Sequence, residues 1–247
     1  MTASALAVIG GTIVFSSFLS GVFGMAGGMV LLGILLIYFD VATAMILFSV
    51  IQFVSNGWRA VHWHSFVRWP IFFMYALGSL VAFAGMRFVA FVPDKATVYL
   101  LLGAMPLAIE ALPARARPNI EWRGVPFLSG ILITVIQFLS GVGGLILDVF
   151  FQKSGFDRKT VIGTKAVAQT FSHVLRAFYF GSLGGLGELS AMQVGPGIAL
   201  AIVGSMLAPW ILERMTDHGY RRWSRWVILT ISAVYLWRGG VLLIGAS

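Results

Sequence analysis

Phe18-Leu19-Ser20-Gly21-Val22 recurs as Phe138-Leu139-Ser140-Gly141-Val142, and this recurrence decides how the rest of the chain is read. Downstream, the matches keep a constant spacing of 117 residues. Phe39-Asp40 with Thr43 answers Phe156-Asp157 with Thr160, and Gln52, Ser55, Arg59 and Ala60 answer Gln169, Ser172, Arg176 and Ala177. Between the two blocks the second copy is three residues shorter. One such match arises by chance; a register shared over about twenty residues points to an internal repeat. The chain reads as two homologous halves, 1–118 and 119–247.

Composition places that repeat in a membrane. Of 247 residues, 59% are hydrophobic and 11% charged, against about 25% charged in an average globular protein. Mean hydropathy is +0.92. A soluble chain so poor in charge could not cover its own surface, so the expected fold is an all-α polytopic membrane protein. Apolar segments run at 4–23, 26–39, 42–58, 70–92, 96–112, 124–142, 144–151, 160–181, 190–212 and 226–245. The second and seventh, of 14 and 8 residues, are shorter than the roughly 20 residues a helix needs to cross the hydrocarbon core. Each follows a glycine cluster: Gly21, Gly24, Gly27 and Gly28 in one half, Gly141, Gly143 and Gly144 in the other. Such clusters mark a helix break or a close backbone approach.

If each broken segment crosses the membrane, the repeat is parallel and the basic residues split 10 to 7 between the two sides. If each dips in and returns, every half has three crossings plus a re-entrant hairpin, and the repeat is inverted. One side then collects Arg59, Arg68, Arg115, Arg117, Arg123, Lys153, Arg158, Lys159, Lys165, Arg214, Arg221, Arg222 and Arg225, leaving Arg87, Lys95, Arg176 and Arg238 on the other, 13 to 4. Lys and Arg concentrate on the cytoplasmic side of membrane proteins, so the inverted arrangement is expected, with both termini outside the cytoplasm. The net charge of +8 then reports orientation, and no soluble basic face is left for nucleic acid. Met1 to Gly10 lacks a basic n-region, and no cleaved signal peptide is expected. Zero cysteines exclude a disulfide framework, a thiolate metal site and cysteine catalysis.

Transporters built on inverted repeats place their site near the midplane, where discontinuous helices meet. A half-helix starting there presents unpaired N–H groups and its positive dipole end, which suits an anion. Gly27-Gly28 and Gly143-Gly144 are the expected starts. The alternative is that these glycines serve close helix packing. On the segment 160–181, Lys165, Gln169 and His173 follow i, i+4, i+8 spacing and share a face, with Arg176 three residues beyond. Ionisable groups inside an apolar segment are functional-site candidates, although Lys165 and Arg176 are also placed to snorkel. The repeat partner offers Gln52, Ser55, Asn56 and Arg59, with Phe48 where Lys165 stands, so the site is asymmetric in charge. Asp148, deep in a short segment, needs a cation such as Lys165 or His173; it is either half of a structural ion pair or a proton carrier in coupling. His62 and His64, beside Trp63 and Trp69, read as an interfacial belt, and Glu213 to Arg225 as a cytoplasmic loop. An intramembrane enzyme is disfavoured. None of the Ser-Gly pairs at 20, 129, 140 and 154 has glycine two residues before the serine, H-E-x-x-H is absent, and four histidines make a poor metal cluster. No cofactor is expected.

The two elbows, Ser20-Gly21-Val22-Phe23-Gly24-Met25-Ala26-Gly27-Gly28 and Ser140-Gly141-Val142-Gly143-Gly144-Leu145-Ile146-Leu147-Asp148-Val149-Phe150-Phe151, resemble those of the sulfite exporter TauE/SafE family, also called the 4-toluene sulfonate uptake permease family. Gly163-Thr164-Lys165-Ala166, Gln169, His173 and Tyr179-Phe180-Gly181 are similar to one bacterial branch of it. The chain departs from the pattern at Ala26, where glycine is usual, and lacks the proline often found after each elbow. The resemblance implies a multi-pass permease of the bacterial inner membrane that moves sulfite, sulfoacetate or related sulfonates. The expected partners are such a small anion, the lipid bilayer and a second copy of the chain in a homodimer. Alternating access of the two halves, driven by the proton gradient, would use backbone N–H groups at Gly27-Gly28 and Gly143-Gly144, with Gln52 and Gln169 orienting the oxyanion. An anion channel and a non-transporting subunit of a larger complex are the alternatives.

Overall fold

The structure, a computed structural model, describes residues 2–23, 25–185, 191–212 and 217–245. Ten α-helices and no strand occur among the described residues: α1 Ala3–Phe23, α2 Met25–Tyr38, α3 Val41–His62, α4 Trp69–Val89, α5 Lys95–Ala111, α6 Val125–Ser140, α7 Gly144–Phe151, α8 Arg158–Phe180, α9 Ala191–Leu212 and α10 Asp217–Ile244. Each apolar segment of the sequence becomes one helix. The exception in extent is the last. The expected loop from Glu213 to Arg225 is helical from Asp217 onward, because low hydropathy does not oppose a helix and arginine is a good helix former. Arg225 there pairs with Glu110 at 2.5 Å. Residues 213–216, with Arg214, and Gly24 of the first cluster lie outside the described residues.

By length and hydropathy, α3, α4 and the Arg225–Ile244 part of α10 are sufficient to cross a membrane. They differ in what they face. α3 is largely buried, whereas α4 turns Phe73, Leu77, Val81 and Phe88 outward. Apolar surface on that scale is stable only against lipid or another apolar partner. Helix ends carry the polar load. Asp40 and Asp157 cap α3 and α8 by accepting from Thr43 N at 3.1 Å and Thr160 N at 3.0 Å, the same device 117 residues apart. The Asp157 and Asp94 carboxyls are held below the usual range, first by the backbone N–H groups of Thr160 and Thr97. A depressed carboxylate contributes stability above its unfolded value and loses it as pH falls through the folded one, so these caps persist at neutral pH and fail only in acid.

α3 and α8 pack against each other in opposite directions. Ala42 near the start of α3 meets Gly185 just past the end of α8, Ser49 meets Arg176, Asn56 meets His173, and Trp63 after α3 meets Gly163 near the start of α8. Other pairings follow: α4 packs on α6, α9 on α1, and α5 on α10. Ser172 of α8 hydrogen-bonds Tyr75 of α4 at 2.7 Å, and Ser55 of α3, 117 residues earlier, meets Ser205 of α9 at 3.3 Å.

The second glycine cluster turns the chain back on itself. Gly141 has φ +77°, the left-handed region, and a Cβ on Gly143 would lie 2.7 Å from the Ile133 side chain and 2.9 Å from Gln137 Oε1. At the other end, Ile120 N donates to Phe150 O at 2.9 Å, and Gly155 N donates to Glu121 at 2.7 Å. The chain thus enters α6 and leaves α7 at one end of the bundle. In the first half, a Cβ on Gly27 would lie 1.9 Å from Ser16 O, so this glycine permits α2 to lie against α1.

A comparable contact holds α4 on α6. A Cβ on Gly130 would sit 2.1 Å from Tyr75 O and 2.9 Å from Ser79 N, both backbone atoms. Gly130→Ala is therefore expected to cost about 2–3 kcal/mol and to lower the melting temperature by roughly 5–10 °C. Gly85→Ala, with nothing within 4 Å of the new methyl group, should be neutral or slightly stabilising. Equal melting curves for the two variants would mean that α4 and α6 do not approach this closely.

Candidate anion site

A cavity opens where α3, α6, α7 and α8 converge. α3 contributes Phe48, Gln52, Asn56 and Arg59; α8 contributes Lys165, Gln169 and His173. Gln137 of α6, the elbow Gly141-Val142-Gly143-Gly144 and Asp148 of α7 close it. Its volume is about 50 Å³, on a measure by which one water needs roughly 10–15 Å³. That is room for a four- or five-atom oxyanion, and too little for an aryl group in this conformation.

The α8 stripe reaches the cavity because residues at i, i+4 and i+8 share a helix face. Lys165 Nζ forms an ion pair with Asp148 Oδ1, with side chains 21% and 35% exposed. Of the two cations that Asp148 could have taken, Lys165 is the partner. His173 is buried between Arg176 and Asn56. Arg176 Nη2 lies 3.0 Å from Nδ1 and Asn56 Nδ2 3.2 Å from Nε2. A guanidinium can only donate, so Nδ1 accepts from Arg176 and the imidazole is uncharged, with its proton on Nε2. Asn56 also donates to Gln52 O at 2.9 Å and accepts from Arg59 Nη2 at 3.0 Å. Asn56 and His173 stand 117 residues apart, each contacted by the arginine three residues on, and they touch each other.

Arg176 does not line the cavity. It is 0% exposed, donates through Nε to Ser49 Oγ at 2.8 Å and through Nη1 to Gly141 O, and stacks 4.3 Å from the Phe48 ring. Its charge still acts on the site from behind. Three further sequence candidates lie off the lining: Gly27 packs on α1, Ser55 faces α9, and a Cβ on Gly28 would lie 3.0 Å from Gln52 Nε2 and 3.3 Å from Phe48. Gln52, Asn56, Gly143, Gly144, Asp148, Lys165, Gln169 and His173 come together. Arg59, which the sequence offers beside Gln52 and Asn56, also lines the cavity; Gln137 is the polar lining residue that sequence reasoning missed, although it is legible as an amide in an otherwise apolar or hydroxyl-bearing helix. Gln137 Nε2 donates to Ser172 O at 2.8 Å, tying the elbow helix to α8.

The arrangement sets three cations, Lys165, Arg59 and Arg176, against one carboxylate, Asp148. The first-turn N–H groups of α7 add a positive dipole end at Gly143-Gly144. Among the described residues no group of histidines and carboxylates is placed to hold a metal ion. A family model described as Sulfite exporter TauE/SafE matches residues 9–236. The chain belongs to the TauE/SafE family. Membership makes it, in general terms, a membrane permease of the sulfite and sulfur-anion exporter type, and the apolar outward faces of α4 and α10 agree with that setting. No curated protein and no solved structure matches the chain.

Proposed function

We propose that this TauE/SafE protein carries a small sulfur oxyanion, of the size of sulfite or thiosulfate, across the bacterial inner membrane by alternating access. The observation that carries the reading is the cavity itself. It is net cationic, has the volume of a small oxyanion, and lies beside the contact of two helices that are repeat mates. The antiparallel run of α3 and α8 supports inverted repeats, 1–118 and 119–247, because a repeat about an axis normal to the membrane would leave such mates parallel. The joining of Ile120 to Phe150 supports a re-entrant α6–α7 hairpin whose tip delivers Gly143-Gly144 to the site. In the proposed complex Lys165 and Arg59 neutralise the anion, the α7 N–H groups bind its oxygens, and Gln52, Gln137 and Gln169 orient it. The two halves rock about the α3–α8 contact.

The test is a melting screen of detergent-purified protein against sulfite, sulfate, thiosulfate, sulfoacetate, taurine and an arylsulfonate, with neutral and cationic controls. A ligand of the native state stabilises by about 2.7 kcal/mol at one hundred times its Kd, and a small sulfur oxyanion is expected to do so while the arylsulfonate does not. Stabilisation by a cation, or by none of the panel, would end the anion-site reading. In proteoliposomes, flux that saturates and is stimulated by anion on the opposite face separates a carrier from a channel.

A further inference from the structure

We propose that Asp148 is an internal counter-anion that occupies Lys165 until substrate or a proton displaces it, so that anion binding at this cavity is linked to proton uptake; the inference rests on the anion site proposed above. Asp148 and Lys165 touch, both line the cavity, and both keep part of their side chains exposed. An oxyanion entering to reach Lys165 therefore approaches a carboxylate that already holds it. Two like charges on one ammonium in a confined, partly desolvated space repel. The conflict is resolved when the carboxylate takes a proton from the cavity water, becomes a neutral acid and leaves the ammonium to the oxyanion. No bond other than the O–H is made, and the proton, which reaches the carboxylate from bulk solvent, offsets one negative charge of the entering anion.

Other groups facing Asp148 cannot take this part. Lys165 and His173 face it from α8 and Arg59 from α3. The two long side chains are cations, and the one acceptor nitrogen of His173, Nδ1, is taken by Arg176. α6 presents the uncharged Gln137, and α5, which also packs on α7, contributes no lining residue. Glu121, beyond the end of α7, accepts from Gly155 N. The device belongs to one half of the repeat. α2, the counterpart of α7, has no charged residue, and Phe48 stands where Lys165 stands. A second copy of the gate in the first half is thereby absent, and one proton per transport event is the expected stoichiometry.

The experiment uses sulfate and thiosulfate, whose charge is constant from about pH 5.5 to about pH 8, and titrates them calorimetrically into the purified full-length protein in buffers of different ionisation heat. Wild-type protein is expected to take up about one proton per anion at the upper end of this range, with affinity rising by up to about tenfold per unit of acidification. Asp148→Asn is expected to bind about tenfold or more tighter than wild type at the upper pH and to lose the slope; Asp148→Glu should retain it. Binding by wild type without proton uptake or slope overturns the gate and leaves the anion site standing. A slope that survives in Asp148→Asn assigns the proton elsewhere and also overturns it. Failure of both anions to bind either protein removes the anion site and the gate together. The proton count on wild type decides even if Asp148→Asn does not fold.

Discussion

Lys165→Met is expected to weaken oxyanion binding by about 30- to 150-fold, roughly 2–3 kcal/mol, the scale on which loss of one partner from a desolvated charge contact is felt. At an anion concentration that stabilises wild type by about 2.7 kcal/mol, the variant should gain less than about 1 kcal/mol. In a melting curve of a chain this long that is a fall from roughly 5–10 °C to under about 4 °C. The prediction follows from position. Lys165 is the cavity cation whose counter-charge, Asp148, also lines the cavity, so its ammonium is placed for an exchange of partners. Methionine keeps the unbranched stem and removes the charge, but it strands Asp148. A lower melting temperature without ligand therefore says nothing about binding by itself. Lys165→Met with Asp148→Asn removes both charges and is expected to recover ligand-free stability without recovering anion affinity, because a buried pair replaced as a unit is far less costly than a pair broken. Unchanged affinity in the single variant would take Lys165 out of the site.

The α8 stripe is legible in the sequence because helical spacing alone places Lys165, Gln169 and His173 on one face. The register of 117 residues likewise carried over to matching N-caps at Asp40 and Asp157 and to the arginine contacts at Asn56 and His173. What spacing does not specify is the rotation of each face against its neighbours. Arg59 and Arg176 stand 117 residues apart in matching sequence, yet Arg59 edges the cavity while Arg176 turns into protein. The difference lies in long-range partners: Ser49 on α3 and the Gly141 carbonyl at the elbow wait for Arg176. Ser55 is polar and close in sequence to Gln52 and Asn56, but the crossing of α9 draws it away. The glycines show the same limit. Composition marks Gly27 and Gly143 equally as break points, whereas Gly27 admits α1 backbone and Gly143 sits on the cavity wall.

That rotation makes the two arginines separable by experiment. Arg176→Met is expected to cost about 3–5 kcal/mol, the usual penalty for breaking a buried charged network, and to lower the melting temperature by roughly 10 °C or more. Its guanidinium is fully buried and its contacts join three parts of the bundle: Ser49 and Phe48 on α3, the Gly141 carbonyl at the elbow and His173 on its own helix. Without it the Gly141 carbonyl loses its donor and His173 loses the donor at Nδ1. Arg176→Lys should rescue little, since one ammonium cannot reproduce a planar fork directed at separate acceptors and stacked on a ring. Arg59→Met removes a charge at the cavity edge whose described side-chain partner is Asn56, and the expected pattern is the reverse: a melting temperature near wild type with about tenfold weaker anion binding. The two arginines then report different quantities, stability for Arg176 and affinity for Arg59. If Arg176→Met instead melts like wild type and only loses anion affinity, Arg176 is a ligand. The guanidinium would then leave Gly141 for the substrate during transport, and the elbow would be a moving part of the site.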